Sequence, residues 1–285
     1  MAEADLHRRR LVFALAFAPA FAMAHGAKEG FKPKVGQSGK DVIWVPTPDR
    51  SVERMLQMAQ VGPKDFVVDL GSGDGRTVIV AAKKFRARSL GIEFNPDMVA
   101  LSRRNAEAEG VADTAKFVQG DIFASDFSSA TVVTMYLLDD LNLRLRPKLL
   151  EMKPGTRIAS HEFNMGDWEP DDTSHVEDHT TYFWVVPAKV GGDWKIGYDI
   201  GADEEAVLKL SQKFQKVEGT LVASSSQLGL RDVGLRGDQI KLSLVDYRGV
   251  LREFSGRVRG GVISGSVRAE GKPAGLFRAK RVAAG

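Results

Sequence analysis

Between residues 41 and 187, short apolar runs alternate with longer stretches of helical periodicity. Phe66-Val67-Val68-Asp69-Leu70 has the character of a buried strand, helix formers fill 77–85, and a second apolar run covers 89–94. Pro96 suits the first turn of a helix that the pattern carries to about Glu109 and stops at Gly110. Residues 115–120 and 130–138 read as two further strands, 141–152 as a helix ended by Pro154-Gly155, and 156–163 as a fifth strand. A sixth run, 182–186, closes the sheet edge in this reading. The runs are continuously apolar instead of alternating, as strands buried on both faces must be. Strand–helix alternation of this kind predicts a doubly wound, mainly parallel sheet with helices on both faces.

After Ala188 the period changes to two. Leu208, Leu210 and Gln212, then Ile240, Leu242 and Leu244, mark strands with one buried face, separated by turns such as Gly191-Gly192 and Arg259-Gly260-Gly261. A small antiparallel barrel or sandwich is expected over about 190–283.

The N-terminus carries a different pattern. Arg8-Arg9-Arg10 precedes an apolar stretch over 11–24 that ends Ala22-Met23-Ala24, the order of a secretory leader with a small-x-small cleavage site. The stretch falls short of the ~20 apolar residues that span a bilayer, so no stable membrane span is expected. The resulting division is 1–24 leader, 25–40 linker, 41–188 α/β domain and 189–285 β-rich domain. The protein is expected in the periplasm or secreted where the leader is used, and in the cytoplasm where it is not.

Composition narrows the chemistry. The 285 residues include no cysteine, which removes disulfides, thiolate metal sites and cysteine nucleophiles. Forty basic against 37 acidic residues leave a net charge of +3 with no long basic run, so no nucleic-acid partner is expected. The oligomeric state is not readable from the sequence.

The informative stretch is Val68-Asp69-Leu70-Gly71-Ser72-Gly73-Asp74-Gly75-Arg76, at the end of the first strand. Ligands of doubly wound sheets bind at such carboxyl ends. A dinucleotide fingerprint needs a third small residue where Arg76 stands, so that match fails. Two more acids follow at successive strand ends, Glu93 and Asp121. An acid in such a place is often a helix cap. Three in order at consecutive strand ends argue for a shared ligand.

The Asp69-x-Gly71-x-Gly73-x-Gly75 spacing resembles the D-x-G-x-G-x-G motif of class I S-adenosylmethionine-dependent methyltransferases. Val45-Pro46-Thr47-Pro48 with the helix over 51–60, and Gly166-Asp167-Trp168-Glu169-Pro170-Asp171 after the fifth strand, resemble one subgroup. It contains the lysine methyltransferases related to the ATP-synthase c-subunit enzyme and, more distantly, the Dot1-like enzymes. The resemblance implies a seven-stranded Rossmann-like sheet and S-adenosyl-L-methionine as cofactor. Gly71, Ser72, Gly73 and Asp74 would lie against its amino-acid and ribose parts, with Asp69 orienting the loop and the ammonium group. Glu93 would accept from the ribose hydroxyls and Asp121 from the adenine amino group, while Ile122 covers the ring. The substrate it implies is a protein lysine side chain. The β-rich domain is not covered by the eukaryotic relatives.

The acceptor end is less marked. Thr134-Met135-Tyr136-Leu137-Leu138 lacks both the Asn-Asn-Phe of Dot1-type enzymes and the Asn/Asp-Pro-Pro-aromatic element of amino and DNA-base methyltransferases. Tyr136 alone remains as the catalytic candidate, and packing beneath a helix explains it equally well. His161-Glu162 holds groups able to accept a proton, though a lone histidine near a strand end is more often structural. His175 and His179 flank Glu177-Asp178 in a polar run read as loop, so helical ligand spacing does not apply and no metal is expected. Trp44 could shield the methyl end of the cofactor or pack the N-terminal arm. Two other functions stay open at this point: an exported, non-enzymatic binding protein working through its β domain, and a nicotinamide-dependent oxidoreductase, which shares the Glu93 placement but not Arg76.

Overall fold

The structure, a computed structural model, describes residues 30–198, 206–223 and 226–282. The leader assigned to 1–24 lies outside them.

The first domain contains α1 (Asp49–Met58), β1 (Phe66–Leu70), α2 (Arg76–Phe85), β2 (Arg88–Glu93), α3 (Pro96–Ala108), β3 (Ala115–Gln119), β4 (Val132–Met135), α4 (Asp139–Leu150), β5 (Arg157–His161), β6 (Asp172–Val176) and β7 (His179–Val185). Its seven strands lie in the order β3-β2-β1-β4-β5-β7-β6, with β1 to β5 parallel and β7 antiparallel to both neighbours. Both faces are covered, as the apolar runs require. Val67 and Val132 meet Val52 and Leu56 of α1 on one side, while Val68, Leu70, Val133 and Met135 meet Leu141, Leu145 and Leu149 of α4 on the other. Asn95 caps α3, its Oδ1 accepting from the Asp97 N–H at 2.9 Å, with Pro96 at the first helical position.

The edge differs from expectation. The run at 182–186 belongs to β7, which lies inside the sheet between β5 and β6. The polar run read as a loop is a hairpin, with β6 turning into β7 through Glu177-Asp178, where Glu177 has φ +56°. An edge strand exposes much of its surface and is kept polar against unwanted pairing. Asp172-Thr173-Ser174-His175-Val176 follows that rule and carries no apolar signal.

The second domain is one nine-stranded antiparallel sheet: β8 (Gly192–Tyr198), β9 (Ala206–Lys213), β10 (Lys216–Ala223), β11 (Ser226–Gly229), β12 (Arg231–Arg236), β13 (Gln239–Val245), β14 (Leu251–Arg259), β15 (Val262–Ala269) and β16 (Gly275–Arg281). Period-two alternation puts Trp194, Leu208, Leu242, Phe254 and Val267 into one core. The sheet curls toward a barrel and brings its edge strand β12 against β10. The domains meet where Phe214, in the β9–β10 turn, stacks on fully buried Trp168 with ring centroids 5.9 Å apart.

Candidate active site

The carboxyl ends of β1, β2 and β4 and the start of the segment after β3 open on one cleft, about 1020 Å³ including the solvent at its mouth. All eight residues expected to hold the cofactor line it, and so does Tyr136. Asp69, Glu93 and Asp121 thus face a common cavity, each for a different structural reason.

Asp69 ends β1 with only 6% of its surface exposed. Burial pushes its carboxyl up to about 7, the nearby negative charges of Glu93 and Asp74 push the same way, and the Thr134 hydroxyl, donating at 2.6 Å, pulls against them. Glu93 ends β2 and ties the site together: Oε2 accepts from the Gly73 N–H and Oε1 from the Asn95 N–H, both at 2.9 Å. Each oxygen keeps acceptor capacity for a hydroxyl. Asp121 follows β3, with Oδ1 accepting from the Phe123 N–H at 2.9 Å and Oδ2 facing Lys40 Nζ at 3.0 Å. These two partners, the backbone bond first, hold its carboxyl below the usual range. Ile122 beside it is nearly buried.

The glycine loop explains its own composition. Gly71, Gly73 and Gly75 all have positive φ, the region that favours glycine. A Cβ on Gly73 would lie 2.7 Å from Trp44 Nε1, and one on Gly75 would lie 2.7 Å from the Phe117 ring. Ser72 reaches the cleft through its backbone, because its side chain packs against Gly91, where an added Cβ would come within 2.5 Å of Oγ. The Asp74 carboxylate is engaged by Arg76, whose Nη2 is 2.7 Å from Oδ2 while Nη1 donates to Thr47 O at 2.9 Å. The residue that excluded a dinucleotide is therefore a brace. It ties the loop to an N-terminal strap whose residues 37–47 cover the cleft. Trp44 packs on Gly73, and the strap is held in a tight loop by Trp44 N–H to Gln37 O at 2.9 Å.

A glycine cradle with three acids suits a ligand that carries positive charge and no phosphate. A pyrophosphate would meet Asp69, Asp74 and Glu93 together. S-adenosylmethionine, with its ammonium and sulfonium, fits this set: Asp69, Glu93 and Asp121 would hold it against the backbone of 71–74.

Behind Tyr136 lies a second group, outside the cleft lining. The Tyr136 ring meets His161 edge-on at 4.5 Å and stacks with Phe163 at 6.1 Å. His161 is wholly buried with neither ring nitrogen hydrogen-bonded among the described residues, and burial pushes its pKa down to about 4. His179 Nδ1 is 2.6 Å from Glu162 Oε1. His175, four residues before His179, turns instead to Thr180 Oγ1 at 3.2 Å. The run holding His175 and His179 reads as loop in the sequence; the register of β5 on β7 instead brings His161 and Glu162 to His179.

Comparison with known proteins agrees with this geometry. The ANTKMT methyltransferase domain matches residues 69–172, from the buried acid of β1 to the start of β6. A protein-lysine N-methyltransferase of Saccharolobus islandicus is 46% identical over 151 residues, which is 51% of this chain and 94% of that protein. The chain belongs to this family of class I adenosylmethionine-dependent methyltransferases. The methyltransferase is also 38% identical over 135 residues to the lysine N-methyltransferase of the ATP-synthase c-subunit from Rattus norvegicus, covering 46% of this chain and 60% of that one. It thus spans under two thirds of this eukaryotic relative. Among solved structures, an RNA methyltransferase from Salinibacter ruber in complex with S-adenosyl-L-homocysteine shares 52% identity with a TM-score of 0.51, covering 51% of this chain and 96% of that one. The methyltransferase is an enzyme that uses S-adenosyl-L-methionine, which removes the non-enzymatic and nicotinamide readings.

Proposed function

We propose that the methyltransferase methylates lysine side chains of a protein. The observation that carries this reading is the 46% identity to a protein-lysine N-methyltransferase over nearly that protein's whole length. The group behind Tyr136 supports it, since it offers aromatic rings and the Glu162 carboxylate, surroundings that suit a cation. The cofactor supplies an already activated methyl group. The chain's own residues have to align the acceptor and exclude water.

The solved relative described as an RNA methyltransferase makes RNA the competing acceptor. Incubating the full chain with methyl-labelled S-adenosylmethionine and a cell extract separates the two. Label is expected in N-methyl-lysine after acid hydrolysis of the protein fraction. Label confined to RNA overturns the reading.

We further propose that the leader over residues 1–24 is used. The native protein should then begin at His25, and an N-terminal sequence beginning at Met1 or Ala2 overturns this. No helix among the described residues is long and apolar enough to cross a membrane.

A further inference from the structure

Lysine cannot attack a methyl group while it is an ammonium ion, and its reference pKa of about 10.4 keeps it charged at neutral pH. A lysine methyltransferase needs a place for that proton. The acids lining the cofactor cleft are already engaged: Asp41 with Lys40, Asp69 with Thr134, Asp74 with Arg76, Glu93 with two backbone N–H groups, and Asp121 with Phe123 and Lys40. The acidic and basic groups on the far side of Tyr136 are placed differently.

Four observations converge there. The ligand-type atoms of His161 and Glu162, at the end of the strand next to the one that delivers Tyr136, and of His179, at the start of β7, all lie within 4.8 Å of one another. His161 is fully buried with both nitrogens unsatisfied among the described residues, a costly arrangement unless something else uses it. Glu162 is held at φ +63° by its N–H bond to Thr180 O at 2.8 Å, a strained backbone of the kind that clusters at functional sites. His179 is 36% exposed at its side chain, which gives the group an outlet to water.

We propose that the acceptor lysine approaches beside the stacked Tyr136–Phe163 pair and gives its proton to the Glu162–His179 pair, with buried His161 positioning that pair. The ammonium N–H bond breaks toward Glu162 Oε, and His179 passes the proton on to solvent. The freed nitrogen lone pair forms the new N–C bond while the C–S bond breaks and its electrons stay on sulfur. The titratable groups that face Glu162 are His161 at the end of its own strand β5, Tyr136 just after β4 and His179 at the start of β7; His175 is engaged with Thr180.

This inference rests on the lysine reading, and its test is built to fail separately. The probe is n-butylammonium, added to the full chain saturated with S-adenosyl-L-homocysteine, with the histidines isotope-labelled and followed by NMR. The amine is expected to shift the ring nitrogens of His161 and His179 and to leave His175 unmoved. Glu162→Gln should weaken that response at least about tenfold, as loss of a charge-assisted bond does, with homocysteine-cofactor affinity within about twofold of the parent chain. Unmoved histidines, or an equal response in the variant, overturn the proposal.

Turnover on the methyl-lysine-forming protein fraction gives the second arm. Glu162→Gln and His161→Gln should lower kcat at pH 7 by about a hundredfold or more, the scale of a lost general base, and recover toward pH 10. A loss equal at every pH marks a structural role and overturns the proposal. Label found only in RNA fails the lysine reading, independently of the amine response. One equivalent of Zn²⁺ bound by the parent chain and lost in His161→Ala and His179→Ala would make the trio a metal site, which also overturns it.

Discussion

Lys40 Nζ lies 3.0 Å from Asp121 Oδ2, and both residues line the cofactor cleft. The carboxylate expected to accept from the adenine amino group thus already has a cationic partner, brought by the strap. Both side chains are about a third exposed (31% and 33%), so water screens the pair and leaves it easily displaced. Lys40→Ala is expected to tighten S-adenosyl-L-homocysteine by up to about fivefold, and Asp121→Ala to weaken it about tenfold. Isothermal calorimetry reads both. Weaker binding by Lys40→Ala would show that the lysine holds the ligand instead of competing with it.

Asp69 gives a pH signature. A carboxyl whose folded pKa is raised to about 7 carries no penalty below its unfolded pKa and the full penalty above 7. The free protein should therefore lose stability as pH rises from 4 to 7, by roughly 4 kcal/mol from this residue at most. His161 works oppositely: its pKa, pushed down to about 4, costs stability as pH falls from 6.5 to 4. Comparison with Asp69→Asn isolates the first effect. The variant should unfold at higher urea than the parent at pH 8 and at similar urea at pH 4. It should bind S-adenosyl-L-homocysteine at least about tenfold more weakly, without the tightening between pH 6 and 8 expected of the parent. A pH-independent stability difference would refute the raised pKa.

The legible parts of this molecule are local. Asp69 and the glycine loop sit in one contiguous stretch, and Glu93 and Asp121 each close an apolar run, so chain order alone brings them to one sheet edge. What escaped is what depends on pairing across the chain. β6 carries no apolar signal because it is an edge strand, and its absence turned β7 into a false edge. His179 meets Glu162 only because β7 runs antiparallel to β5 in the register His161 to Thr181. Lys40 reaches the cleft from a strap with no regular periodicity, and for Trp44 on that strap the sequence leaves two readings open. Arg76 was informative for what it excluded, while its bracing of Thr47 O needed the fold.

Gly75 should tolerate no side chain. Its φ is +86°, and a Cβ would lie 2.7 Å from the Phe117 ring and 2.9 Å from Ser102 Cβ, both on buried residues. Left-handed strain of about 1–2 kcal/mol adds to displacement of a packed ring, about 1–3 kcal/mol. Gly110 supplies the control, with φ +67° and nothing within 4 Å of an added Cβ. Urea denaturation should show Gly75→Ala costing about 2–5 kcal/mol and Gly110→Ala about 1–2 kcal/mol. Equal costs would mean that the loop can shift away from Phe117.

Arg76 joins three parts of the site through one guanidinium: the Asp74 carboxylate at 2.7 Å, Thr47 O at 2.9 Å and, more loosely, Asp49 at 3.7 Å. A lysine cannot reproduce that fork, since its single ammonium would have to choose between loop and strap. Arg76→Lys is therefore expected to free the strap while leaving the sheet intact. Trypsin should cut at Lys40 faster than in the parent chain, and S-adenosyl-L-homocysteine should protect less. Overall stability should fall by only about 1–2 kcal/mol, because the Arg76 contacts are partly exposed and the core beneath α2 is apolar. If cleavage at Lys40 is unchanged, the strap is held by Trp44 on Gly73 and not by the arginine, and Trp44→Ala becomes the variant that should open it.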